Sequence, residues 1–127
     1  MPAVLDREAL LAALVLDPAT FSRNRFFELY KDPEIRRVRR RAALLRGVVR
    51  HVAAANVEIA PDEGDRLAMS YELPALGLKR RVLLDPLELA LVRYAMARAR
   101  GPVGPDDPDR ARVEAALARL APEARPL

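Results

Sequence analysis

The chain has 127 residues, a length that fits one domain, with 51% hydrophobic and 31% charged residues, a balance typical of a globular protein rather than a disordered one. Lys and Arg number 22 against 18 Asp and Glu, a formal net charge of +4, which is too even to announce a nucleic-acid partner on charge alone. No cysteine is present, so disulfides, thiolate metal sites and cysteine nucleophiles are excluded.

With three Phe, three Tyr and no Trp, the core must be built mainly from Leu, Val and Ala. The first helix is expected from Asp6, with Asp6 as N-cap, Leu5 and Leu10 as a hydrophobic staple, and Leu10, Leu11, Leu14 and Val15 as the buried face. Asp17-Pro18 ends it. Asp6, Arg7 and Glu8 come early and no basic leader precedes the apolar run, so the start does not read as a signal peptide. No stretch reaches the roughly 20 apolar residues needed to span a bilayer, and a cytoplasmic address is expected. A short second helix is predicted from Ser22 to about Lys31, with Phe26, Phe27, Leu29 and Tyr30 as packing residues.

The stretch from Asp32 to Ala55 carries the longest helical signal. Asp32 suits the N-cap and Pro33 the first helical position. Ile35, Val38, Ala42, Leu45, Val49 and Val52 fall on one stripe. Arg36, Arg39, Arg40, Arg46 and Arg50 are assigned to the opposite side, and Arg37 and Arg41 flank the stripe. Such a helix offers an aliphatic face to a core and guanidinium groups to something else.

Beyond Asn56 the period changes to two. Val57 to Ala60 alternates, Pro61 to Asp65 is a turn cluster, and Arg66 to Leu73 sets Leu67, Met69, Tyr71 and Leu73 on one face. After the Pro74–Gly77 connection, Leu78 to Leu84 alternates again. The pattern predicts a two- or three-stranded antiparallel sheet. Arg80 falls on its apolar side and needs a partner or a route to the edge. Asp85-Pro86-Leu87-Glu88 is a helix start with capping-box spacing. The helix it opens, to about Arg100, is apolar nearly all round and should lie between the sheet and the N-terminal helices. Gly101 to Pro108 reads as a Gly/Pro linker, and residues 109–127 as a C-terminal helix and tail, with Val113, Ala116, Leu117 and Leu120 on the inner stripe. That helix can pack on its own domain or reach a neighbour. The expected architecture is therefore α+β: N-terminal helices, a small antiparallel sheet, a central apolar helix and a C-terminal helix, in a single domain spanning 1–127.

Catalytic signals are sparse. The single histidine, His51, sits near the C-terminus of the arginine helix, where an imidazole complements the helix dipole. Asp62, Glu63 and Asp65 share a loop but lack the ligand pattern of a calcium site. No phosphate-binding glycine loop, nucleophile elbow or metalloprotease motif occurs. No catalytic residue, cofactor or metal site is therefore expected, and the chain reads as a non-enzyme.

The remaining candidates are contact residues: Arg36, Arg39, Arg40, Arg46, Arg50, Lys79 and Arg81. The leading expectation is a non-catalytic protein-interaction module, an adaptor or a homo-oligomer subunit, with a protein partner or a second copy. The alternative is a nucleic-acid-binding domain whose arginines contact phosphates. A basic helix followed by a hairpin is, by architecture alone, analogous to winged-helix domains, and no recognition motif supports more than that. Docking on a membrane surface is not expected, because the apolar face lacks Trp and Phe and is committed to a core.

Overall fold

Seven consecutive residues of the first helix, Ala9 to Val15, are buried. The computed structural model describes residues 6–17, 33–52 and 57–120, and this helix, α1 (Arg7–Leu16), touches all three of the other described helices. Those are α2 (Pro33–Val52), α3 (Pro86–Arg100) and α4 (Pro108–Ala118). Ala9, Ala12 and Ala13 are fully buried, because small side chains let neighbours approach α1 from every side. Asp6 caps it by accepting from the Ala9 N–H at 2.9 Å. The predicted end at Asp17 also holds, where the backbone N–H reaches back to the Ala13 carbonyl. The predicted helix at 22–31, the Asp32 cap and the Leu5 staple lie outside the described residues.

The described strands form one antiparallel sheet in the order β1 (Val57–Pro61), β2 (Leu67–Leu73), β3 (Leu78–Leu84). Its register sets Ile59, Met69 and Val82 in one row and Val57, Tyr71 and Arg80 in the next. Met69, Tyr71, Val82 and Leu84 are buried on that inner face, as the alternation predicts. The β1–β2 turn passes through Gly64 at φ +66°, and the β2–β3 connection, a 3-10 turn at Pro74–Leu76, closes on Gly77 at φ +62°. Both glycines adopt a left-handed backbone that costs other residues a Cβ clash.

The helix expected at the centre is there: α3 packs against α1, α2, α4 and β3. Its burial is confined to Leu87–Val92, and Arg93, Arg98 and Arg100 are exposed. Its capping box forms as read, with the Asp85 carboxylate accepting from the Glu88 N–H at 2.7 Å and Glu88 accepting from the Asp85 N–H at 3.0 Å. In α4, Val113 and Ala116, followed by Leu120 just beyond the helix, join the same core as α1. The Gly/Pro linker thus returns the chain to its own domain. Arg119 ties the far end of α4 to Asp6 at 2.8 Å. No helix among the described residues is long and apolar enough to cross a membrane.

Helix α2 departs from the single stripe. Ile35, Val38, Ala42 and Leu45 are buried as expected, but so is Val48, while Val49 is only half-buried. The reason is tertiary. One side of α2 packs on α1 and another on β2, so its covered arc is wider than one stripe, and Leu44 remains 44% exposed at the margin.

Candidate functional site

The contact residues expected on α2 do not form one uniform surface. Arg36, Arg40 and Arg50 are exposed, whereas Arg39 and Arg46 are half-buried. Arg46 is four residues after Ala42 and three before Val49, so it flanks the apolar stripe rather than opposing it. Its guanidinium donates to the Leu14 carbonyl at 2.8 Å, satisfying a last-turn carbonyl of α1 that has no partner within its own helix. Burial lowers the Arg46 pKa, and the positive charges of Arg39 and Arg50 lower it further. Arg39 and Arg50 are thus both near enough to act on the Arg46 charge.

On β3, Lys79 is exposed, and Arg81 pairs with Asp62 at 3.1 Å. That pair runs from β3 across β2 to the end of β1. Glu34 gathers Arg7 at 3.2 Å and Arg37 at 3.0 Å, all well exposed, and such pairs contribute little.

The residue that organises this side of the molecule is Arg41. Its guanidinium bonds both oxygens of Glu88 and the carbonyl of Leu83. One side chain of α2 thereby holds the end of β3 and the first turn of α3. The Glu88 side chain is 9% exposed and that of Arg41 35% exposed. The hydrogen bonds that Arg41 donates to Glu88 raise the Arg41 pKa above its already high ordinary value, against a smaller opposing effect of burial. The signal was present in the sequence: Arg41 stands three residues after Val38 and four before Leu45, where an unpaired charge is not tolerated.

Two depressions flank Arg41. The larger, about 1040 Å³, lies at the N-terminal ends of α1 and α3 and includes Asp6, Glu8, Asp85 and Glu88. Those four carboxylates are already engaged, as caps or with Arg119 and Arg41, so this cleft is a structural junction. The smaller, about 600 Å³, is a groove between α2 and β3. Leu44, Gly47, Val48 and His51 form its helical wall, and Tyr71, Leu73, Arg80 and Val82 its sheet wall. A side chain at Gly47 would meet nothing within 4 Å. Arg80, which the alternation placed on the apolar side, emerges exposed at this groove, and Leu78 beyond it is 48% exposed.

The groove also runs along a sheet edge, since among the described strands β3 pairs with β2 alone. The Leu83 carbonyl, bonded by Arg41, must point away from β2. In an antiparallel strand the N–H and C=O of one residue share a direction that alternates along the chain. Lys79 and Arg81 therefore also direct their backbone groups outward. Among the described residues, no backbone or side-chain hydrogen bond reaches those groups. Sequence reading did not find the groove, because it depends on which sheet edge lies beside α2.

Among the described residues, no group of three His, Asp or Glu side chains is placed to hold a metal. Compared with protein-family models, curated proteins and solved structures, the chain matches none.

Proposed function

We propose that the chain is a non-catalytic protein-interaction module of the adaptor kind, and that its partner engages the groove between α2 and β3. The observation that carries this reading is the exposed Leu44 on the helical wall of the groove, beside a β3 edge that no other described strand covers. An apolar patch next to unpaired backbone groups is a surface that a partner stabilises. The α4 helix, the other candidate for partner docking, contributes its apolar stripe to the chain's own core, so the groove takes over that role. The cysteine-free composition suits a cytoplasmic setting.

The test is site-specific photo-cross-linking in cells. A cross-linker at Leu44 should give discrete protein adducts, and one at the exposed Ala115 of α4 should not. Equal adduct patterns at both positions would overturn the reading.

A second reading, a nucleic-acid-binding domain that is winged-helix-like by analogy, draws support from Arg40 and Arg50, which are exposed on α2. It predicts binding to duplex or single-stranded DNA with a steep loss between low and moderate salt. Arg39→Glu with Arg40→Glu should abolish that binding, and a duplex affinity unmoved by the double change would end the reading.

A further inference from the structure

We infer that the occupant of the groove is an acidic, extended peptide segment that adds to the outer edge of β3 as a fourth strand. This rests on the protein-interaction reading above and specifies the chemistry of the partner. The outward N–H and C=O groups of Lys79 and Arg81 form a two-residue repeat with the spacing of a β ladder, and a strand laid beside them satisfies all four. Arg41 limits the register. Its guanidinium already takes the Leu83 carbonyl, so the added strand pairs along residues 79–81 and stops short of Leu83.

Alternation then sorts the incoming side chains. Those on the inner face enter the groove toward Leu44, Gly47 and Val48, where the helical wall is aliphatic and Gly47 leaves room. Those on the outer face lie beside Lys79 and Arg81. Charge selects among the strands that could fit. On the outer face stand Lys79, exposed, and Arg81, which already holds Asp62 at 3.1 Å, while Arg80 and His51 line the groove and Arg40, exposed, is one turn before Leu44.

A second copy of this chain does not meet that requirement. Two β3 edges pairing antiparallel within residues 79–81 would set Arg80 against Arg80 and Lys79 against Arg81, and like charges directly opposite are destabilising. An alternating acidic and apolar segment meets both faces: its apolar residues enter the groove beside Leu44 and Val48, and its carboxylates face Lys79 and Arg81 on the outer face. The other edge of the described sheet, β1, carries Glu58 and no basic residue, which fixes the choice of edge.

The experiment uses the full chain and three capped heptapeptides: alternating Glu and Val, alternating Lys and Val, and the Glu/Val peptide N-methylated on the residues whose N–H would face β3. Affinity is read by titration, and backbone amide exchange is read residue by residue. The Glu/Val peptide should bind, with exchange slowed at Lys79 and Arg81 and unchanged at Val57 and Ile59, whose N–H groups point outward from the β1 edge. The Lys/Val and N-methylated peptides should each bind at least about tenfold more weakly. Binding with unchanged exchange at Lys79 and Arg81, or with no penalty for N-methylation, would overturn strand addition while leaving the groove an interaction site. Absence of peptide binding together with discrete Leu44 adducts would also overturn it, with the partner then being of another chemistry. If the peptides fail and duplex DNA instead slows exchange along β3, both the inference and the interaction reading fall in favour of nucleic acid.

Discussion

Replacing Arg41 by Met removes the guanidinium that joins α2, β3 and α3 and leaves the Glu88 carboxylate facing an aliphatic chain. Breaking a buried ion pair by deleting one partner costs about 3–5 kcal/mol, whereas an exposed pair contributes about 0–1 kcal/mol. With Glu88 9% exposed and Arg41 35% exposed, the pair lies nearer the buried limit, discounted for the water that reaches Arg41. A loss of about 2–3 kcal/mol is expected. Urea unfolding with a slope of about 1–3 kcal/mol per molar then places the midpoint roughly 1–2 M lower. Glu88→Gln keeps an acceptor for the Asp85 N–H and should cost less. The double variant should be more stable than the sum of the two single losses, since no buried charge is then orphaned. An Arg41→Met protein within about 0.5 kcal/mol of the parent, with additive double-variant behaviour, would show that the contact contributes nothing and that the reasoning is wrong.

Leu10 is fully buried on the helix that all three other described helices touch, so Leu10→Ala should cost about 2–5 kcal/mol in the same urea assay. A loss below about 1 kcal/mol would show that α1 is not central. At Asp6, burial acts to raise the carboxyl pKa, but the Ala9 N–H and the Arg119 guanidinium outweigh it and the net shift is downward. The ionised form is thus favoured by folding. Its contribution is full above the pKa of a free Asp and is lost as pH falls through the lower folded value. Asp6→Asn, which keeps a cap, should be less stable than the parent at neutral pH, with the gap closing below roughly pH 4. A gap that stays constant on acidification would refute the linkage. Gly77→Ala, at φ +62°, should lower stability by about 1 kcal/mol, measured as a drop in melting temperature, and an unchanged melting temperature would count against the strain.

Local chemistry was legible in the sequence. The caps at Asp6 and Asp85 form as the spacing implied, because a cap is decided within four residues. The alternation from Leu67 to Leu84 likewise fixed the inner and outer faces of β2 and β3, since one buried face permits only one register. What could not be read was set by neighbours far along the chain. Arg46 resembles the other arginines of α2 until the Leu14 carbonyl, 32 residues away, is brought to it, and the place of Arg41 beside the stripe called for a partner without showing that it is Glu88, 47 residues on. The inner stripe of α4 was visible at Val113, Ala116 and Leu120, but the surface it covers is α1, at the other end of the sequence. The groove was hidden for the same reason, being formed between two elements rather than within either.

The pairing of α1 with α4 has a consequence for synthesis. Helix α1 leaves the ribosome roughly ninety residues before α4, an interval of roughly 5–20 s at ordinary elongation rates. During that time its seven consecutive apolar residues lack the surface that completes their enclosure, and a nascent chain in that state is a natural client for a chaperone.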